Sequence, residues 1–338
     1  MNKKVILAMS GGVDSSAAAH ILLVRGFEVS GVTLKRWPED NAWEDAQKAA
    51  ESLGLPHYVL DVSREFKAEV IDYFTDEYAA GRTPNPCVLC NRNIKFESVL
   101  RYANGVGADF IATGHYAMIE KMAGRYYIKK SKSDKKDQTY ALYNLTQEQL
   151  ARTLFPIGDY EKAEIRRIAA EAGLSAAGKK DSQEICFIPG EDYAKYLTDC
   201  GVEAKEGNFV DSAGKVLGRH RGVPFYTVGQ RKIGVALNEK MFVKSIDPKK
   251  NEIVLAKNEE LFTDLVECDK INFFCEPFEG QRRLLGKIRY AQRPEACEVR
   301  VKNGKITACF DSKVRAVTPG QAAVFYDGEY VQFGGTIV

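Results

Sequence analysis

Val5–Met9 is an unbroken apolar run. After Ser10, Gly11 and Gly12 it gives way to Ser15–Arg25, an alanine-rich stretch with helical spacing that stops at Gly26. The same alternation continues through the first half of the chain. Strands are predicted over Glu28–Leu34, His57–Val62 and Phe110–Thr113, and helices over Asn41–Leu53, Arg64–Ala79 and Asn91–Ala103. Asn41, with Glu44 three residues on, reads as an N-cap close to a capping box, and Gly54 closes that helix. Strand and helix in strict alternation predict an α/β unit, a parallel sheet with helices on both faces.

Beyond about Asp181 the pattern shortens. Gly207–Val216, Thr227–Gly229, Met241–Ile246 and Glu252–Leu255 read as strands separated by turn residues. From Lys270 onward the predicted strands are Lys287–Tyr290, Glu298–Val301, Ile306–Phe310, Val314–Val317, Ala322–Tyr326 and Val331–Phe333. Asn303-Gly304 and Asp327-Gly328 are hairpin signals between them. This predicts a small antiparallel β-barrel at the C-terminus. Helical pieces at Asp159–Ala172 and Asp192–Cys200 join the two regions. The expected domains are 1–190, a nucleotide-binding catalytic unit; 191–258, a central, mainly β unit; and 259–338, the barrel.

The length, 338 residues, accommodates two or three such domains. No apolar run approaches the ~18 residues of a membrane span, and the first apolar stretch is too interrupted for a signal peptide, so a cytoplasmic location is expected. A net charge of +2 neither requires nor forbids a nucleic-acid partner, because phosphate binding depends on local patches. Lys129–Lys136, "KKSKSDKK", is one such patch. Eight cysteines are too few for a disulfide scaffold, so their spacing must be read for chemistry.

Ser10–Ser16, "SGGVDSS", lies where the first strand meets a helix N-terminus. Unpaired N–H groups, the helix dipole, two glycines and three serine hydroxyls make an anion cradle there. It is neither a Walker A loop nor GxGxxG. It resembles the pyrophosphate-binding loop of the ATP pyrophosphatase (PP-loop) superfamily, whose members split ATP between the α and β phosphates. Farther on, Thr83–Asn91 reads "TPNPCVLCN". Prolines 84 and 86 stiffen an extended loop, Cys87 and Cys90 form a C-x-x-C, and Asn91 is placed to cap the next helix. A cysteine at a helix N-terminus is expected to have a lowered pKa. Cys186 follows in "KKDSQEICFI", with Lys179 and Lys180 as nearby positive charge. Cys200, Cys268, Cys275, Cys297 and Cys309 show no paired spacing and read as core or surface thiols.

With "TGHYA" (113–117), "KDQTYAL" (136–142), "YTVGQRK" (226–232) and "TPGQAAVFY" (318–326), these motifs occur in the order found in the tRNA-specific 2-thiouridylases. The resemblance runs nearly the full length of the chain. It implies an adenine nucleotide alpha hydrolase-like catalytic domain and ATP-dependent 2-thiolation of the wobble uridine of tRNAs for Lys, Glu and Gln, with Mg2+ accompanying ATP. It implies Cys90 as nucleophile and Cys186 as persulfide carrier, able to close a transient disulfide. The implied ATP site is Ala8, Met9, Ser10, Gly11, Gly12, Val13, Asp14 and Ser15, with Leu34 and Gly114. The implied tRNA contacts are Asn85, Pro86, Cys87, His115, Lys136, Asp137, Gln138, Arg289, Tyr290 and Gln321. An upstream sulfur donor, a desulfurase or relay protein, is implied as partner.

One departure leaves two sulfur routes open. Cys87 stands where many members of that family have Asp. Three thiolates, Cys87, Cys90 and Cys186, can hold an iron–sulfur cluster with one iron open to sulfide, or zinc with a fourth ligand. Lys35–Ala49 is also shorter than the corresponding family segment. Two other readings stand beside the thiolase: a PP-loop enzyme acting on a small molecule, and a non-catalytic nucleotide- or RNA-binding protein.

Overall fold

The structure, a computed structural model, describes residues 2–174, 185–188, 190, 192–235, 237 and 239–338. Lys179 and Lys180 lie outside them. Strands β1 (Lys4–Ala8), β2 (Glu28–Lys35), β3 (His57–Asp61) and β4 (Phe110–Thr113) belong to one parallel sheet. β5 (Met118–Met122) and β6 (Arg125–Lys129) form a hairpin, and β7 (Thr153–Leu154) completes the sheet in the order β3-β2-β1-β4-β7. Central β1 is covered on both sides. Val5 and Leu7 pack with Ala17, Ala18 and Leu22 of helix α1 (Val13–Val24) and with Ala46, Ala49 and Ala50 of α2 (Ala42–Ser52). Ile6 faces the opposite core, with Phe96, Val99 and Leu100. The alanines explain how two helices lie so close to the sheet: they leave little side chain between backbones.

Two longer helices follow, α3 (63–79) and α4 (86–105), each containing a wider π-helical stretch, Lys67–Ile71 and Cys90–Phe96. α4 starts earlier than its apolar pattern suggests. Pro86 occupies its first turn after Asn85, a position where a missing N–H costs nothing. Asn91 is therefore inside the helix rather than capping it, and its side chain donates to Ala141 O (3.0 Å). At α2, Asp40 rather than Asn41 accepts the first-turn N–H of Ala42 (3.3 Å).

The central domain holds β8 (Gly207–Val210), β9 (Val216–His220), β10 (Phe242–Asp247) and β11 (Glu252–Ala256), in the order β10-β11-β8-β9. The single strand expected over 207–216 is broken because Asp211 accepts from the N–H groups of Ala213 and Lys215, both at 2.9 Å, and closes a turn. Thr227–Gly229 forms no strand. The C-terminal strands are β12 (Phe262–Phe273), β13 (Gly280–Lys287), β14 (Glu295–Lys302), β15 (Lys305–Arg315), β16 (Ala322–Asp327) and β17 (Tyr330–Ile337). They run β12-β15-β14-β13-β16-β17 and close through β12–β17 pairing into an antiparallel barrel. The segments expected at 306–310 and 314–317 are one strand, β15, and β13 ends at Lys287 rather than continuing to Tyr290. Asn303 and Gly304, at φ 52° and 69°, make the expected two-residue turn.

Shared cores join the domains. Tyr140, Leu142 and Tyr143 pack with Phe274, Val324, Tyr326 and Val331 of the barrel. Phe66, Phe74, Ile94 and Phe187 pack with Phe209, Phe225 and Val243 of the central domain. Helix α4 therefore lies between all three units.

Candidate functional site

The chain winds from β1 to β3 on one side of the sheet and then crosses to β4 on the other. That switch of direction between β1 and β4 opens a crevice at the carboxyl ends of the strands, where open α/β sheets bind ligands. The Ser10–Ser16 loop lines one wall. Gly11 adopts φ +67°, and a Cβ there would lie 2.5 Å from Asp45 Cβ. Gly12 precedes α1 with no side-chain cap. Ser15 and Ser16 hydroxyls donate to Gly12 O (3.1 and 3.0 Å), and Ser10 N donates to Ser15 Oγ (3.2 Å), which fixes the turn while leaving the helix entrance to an anion. Gly114, from the loop after β4, forms the other wall. A Cβ on it would sit 2.8 Å from Ser15 N. Leu34, near the end of β2, is half-buried between two cores.

Sequence reasoning missed Lys162. Its ammonium donates to both Asp14 carboxylate oxygens at 2.8 Å, and Tyr116 OH donates to the same carboxylate at 2.8 Å. A signal was available. Glu161 and Glu164 form a capping box that marks Lys162 as the first residue of a helix, where a cation opposes the helix dipole and so needs a partner elsewhere.

The C-x-x-C sits on α4, with Cys87 in its first turn and Cys90 opening the π-helical stretch. The expectation of lowered thiol pKa values is overturned. Crowding by protein atoms pushes Cys90 up to about 11. Lys95 and Arg36 pull against this, while Cys186 and Cys87 reinforce it. Neighbouring protein atoms likewise raise Cys87, although its side chain keeps an exposed face, with Cys186 adding to the rise and Lys95 opposing it. Helix position is outweighed because desolvation of a thiolate exceeds the pull of a helix N-terminus. Cys90 packs against the core that also holds Ile185, Phe187 and Ile188, which brings the segment carrying Cys186 to the C-x-x-C; Cys87, Cys90 and Cys186 are all free thiols. Aromatic contacts run through it: Arg36 over Trp37 (4.5 Å), Trp37 on Phe66 (5.9 Å) and Phe66 on Phe187 (5.7 Å). Burial works against the Arg36 charge, but its bond to Asp40 (2.8 Å) prevails and raises its pKa. Among the described residues no group of three or more His, Cys, Asp or Glu is placed to hold a metal ion. The three thiols thus do not fit a cluster or zinc in this arrangement.

The residues implied as tRNA contacts fall into two sets. Tyr290 is open, 48% exposed, beside Lys287 (5.4 Å) and Tyr140 (6.2 Å). Although the ring edge is open, protein atoms around it raise its phenol, with Asp137 and Cys87 adding to the rise. Cys87 is exposed and Asn85 half-buried. The others are engaged within the protein. His115 is buried, its Nδ1 2.7 Å from Thr113 Oγ1, so its ring does not reach the surface in this conformation. Gln138 braces Tyr116, accepting from its N–H at 2.9 Å. Burial raises the Asp137 carboxyl, which accepts from Thr139 and Ser131. Arg289 donates to Val228 O, Ala316 O and Thr318 Oγ1. Gln321 donates to Thr83 O (2.8 Å) and Pro84 O (3.2 Å), Pro86 is buried, and Lys136 is half-buried.

Residues 113–117 link the two halves of the site: Gly114 abuts α1, Tyr116 reaches Asp14, and His115 Nε2 lies 3.4 Å from Lys95 Nζ on the thiol helix. A switch-point anion loop, a thiol-bearing helix and two appended β domains define a PP-loop nucleotide enzyme. The comparisons carry this further. Residues 3–190 match the family model described as tRNA methyl transferase HUP domain, 195–257 the tRNA methyl transferase PRC-barrel domain, and 263–338 the Aminomethyltransferase beta-barrel domain. The tRNA-specific 2-thiouridylase MnmA of Lachnoclostridium phytofermentans is 50% identical, with 99% of each chain covered. Those of Clostridium perfringens and Clostridioides difficile are 48% and 49% identical, covering 99% and 100% of this chain and 98% of each relative. The chain belongs to the tRNA-specific 2-thiouridylase family.

Proposed function

We propose that this chain replaces the C2 oxygen of uridine 34 in the tRNAs for Lys, Glu and Gln with sulfur, at the expense of ATP. The observation that carries this reading is the continuity from nucleotide loop to thiols through residues 113–117. A methyl transferase, or a PP-loop enzyme for small molecules, has no use for such a sulfur site.

Residues 8–15 and Gly114 hold the phosphates, and Leu34 packs on adenine. Mg2+ would travel with ATP and neutralise phosphate charge; Asp14, the only carboxylate in the loop, can meet it by releasing Lys162. In that exchange Lys162 would turn from the carboxylate to contact phosphate. The C2 oxygen attacks the α-phosphorus, pyrophosphate leaves, and a poor leaving group becomes AMP. The terminal sulfur of a Cys186 persulfide attacks C2 and AMP departs. Cys90 thiolate then attacks Cys186 Sγ; a Cys90–Cys186 disulfide forms, and the electron pair of the broken S–S bond stays on the sulfur attached to C2. The sulfane sulfur is reduced and two cysteines are oxidised, so an external thiol must reopen the disulfide before a sulfur donor, a desulfurase or relay protein, reloads Cys186.

Tyr290 and Lys287 offer a stacking and cationic edge for the anticodon loop, and Asn85, Pro86 and Cys87 face the target base. No described helix is long and apolar enough to cross a membrane. A tRNA substrate makes the cytoplasm the expected place of reaction. The test is incubation with unmodified tRNA, ATP and a sulfur source, followed by mass analysis of nucleosides. A wobble uridine heavier by the difference between sulfur and oxygen is expected. AMP formation with unchanged tRNA would refute the assignment.

A further inference from the structure

Lys95 is absent from every role assigned above, yet its surroundings are unusual. It lies five residues after Cys90, within the π-helical stretch Cys90–Phe96. In an α-helix five residues carry a side chain about 140° past its starting face. The i→i+5 turn of a π-helix brings it back toward that face, and such stretches cluster at functional sites. Lys95 is half-buried and makes no ion pair with a carboxylate among the described residues. Its hydrogen-bond partner is His115 Nε2, at 3.4 Å.

That partner fixes the protons. A lysine ammonium can only donate, so Nε2 must accept. The imidazole proton is then on Nδ1 and is donated to Thr113 Oγ1, 2.7 Å away. Burial, followed by the Lys95 charge itself, holds the ring neutral. His115 is packed against Phe96 (5.8 Å) and Phe155 (6.1 Å), which leaves it little freedom to turn. A neutral, immobilised acceptor thus aims an ammonium whose other two N–H groups remain for an anion.

The groups acting on Cys90 are Lys95, Cys186, Cys87 and Arg36. Arg36 is already satisfied by both oxygens of buried Asp40, at 2.8 and 3.3 Å. Lys95 is the cation among them without an anion of its own, and a partly buried charge needs one. We propose that Lys95, oriented by His115, is the counter-ion of the sulfur anion that forms on Cys90, and so controls when this crowded thiol becomes a nucleophile. The inference rests on Cys90 being the attacking thiol in sulfur transfer. In that step the Cys90 proton passes to solvent, the thiolate attacks Cys186 Sγ as above, and Lys95 changes no bond. His115 is a positioning residue.

The experiment uses the full-length reduced chain without tRNA or ATP. Alkylation of Cys90 by neutral iodoacetamide is followed across pH by peptide mass analysis, with exposed Cys309 as an internal reference. In Lys95→Met the Cys90 profile should move to higher pH, with alkylation about tenfold slower at pH 8 and Cys309 unchanged. Lys95→Arg should restore most of the rate. Lys95→Gln is read in the same way should the Met variant fail to fold. A neutral variant whose Cys90 profile overlays the parent overturns the inference. The two readings fail separately: the thiolase assignment falls if AMP forms while tRNA stays unmodified, the role of Cys90 as attacking thiol if Cys90→Ser still thiolates tRNA, and the Lys95 assignment if alkylation ignores its charge.

Discussion

Replacing Gly114 with alanine puts the architecture of the ATP loop to a quantitative test. The added Cβ would lie 2.8 Å from Ser15 N, 2.9 Å from Asp14 C and 3.0 Å from Ser15 Cα, all of them backbone atoms. Ordinary contact begins at 3.4 Å, so the β4 loop and the first turn of α1 must separate by about 0.6 Å. The displaced N–H groups are those proposed to hold phosphate. Weakening one charge-assisted hydrogen bond costs about 2 kcal/mol, or ~30-fold in ATP affinity. Strain in the folded state should remove a further ~1–3 kcal/mol of stability. Calorimetric titration with ATP and thermal melting read the two effects. Gly12→Ala is the contrast: its Cβ meets only Ser10 Oγ, at 3.5 Å, so its melting temperature should hold while a phosphate can no longer approach the backbone. A Gly114→Ala protein with parental affinity and melting temperature would refute the proposed wedge between these two loops.

Cys90→Ser and Cys186→Ser should each abolish thiolation, seen by nucleoside mass analysis, while ATP binding persists by calorimetry. Lys162→Met leaves the Asp14 carboxylate without its cation at the phosphate loop; the KM for ATP should rise about tenfold, measured as tRNA-dependent AMP release. His57, His115 and His220 are each held below the usual histidine range, by burial first. Their neutral forms therefore contribute stability that is complete above the unfolded value of 6.5 and lost as pH falls from there through the lowered folded values. The melting temperature should decline on acidification below about pH 6.5, and a flat profile there would show the rings to be solvated.

Much of this was legible in the chain. The strand–helix alternation of the first half forecast the parallel sheet, because the strands there are short apolar runs and the helices between them are followed by glycine, at Gly26, Gly54 and Gly81. The β5–β6 hairpin was not foreseen. Its residues carry no alternating apolar face, and β6 is held to the barrel through one pairing, Tyr330 with Lys129. β12 escaped for a related reason: it is paired on both edges and bulged on each, so its buried positions do not alternate along "FTDLVECDKINF". Local motifs located Cys90 and Asp14, but their partners were hidden differently. Lys162 lies 148 residues from Asp14, and only the fold brings them together. Lys95 is close in sequence to Cys90 but on the wrong face for an α-helix, so its relevance emerges only with the π turn. The thiol pKa failed as a sequence reading because it depends on crowding, which no local spacing records.

The two appended domains have a structural role at the thiol loop beyond any contact with RNA. Pro84 and Pro86 cannot donate backbone hydrogen bonds, so the loop ahead of Cys87 cannot fasten itself. It is fastened from outside. Thr83 N donates to Pro319 O (2.8 Å), Gln321 donates to the carbonyls of Thr83 and Pro84, and the Thr83 hydroxyl donates to that of Thr227 (3.2 Å). Gly320, at φ +91°, lies so close that a Cβ would be 3.0 Å from Thr83 O. Barrel and central domain thus both grip one residue, Thr83, four positions before the C-x-x-C begins at Cys87. A catalytic domain alone would leave those carbonyls and that N–H to water and the prolines free to swing. With all three units docked, the chain entering α4 has a fixed origin, and the sulfur of Cys90 is held in register with the nucleotide loop on the other side of residues 113–117.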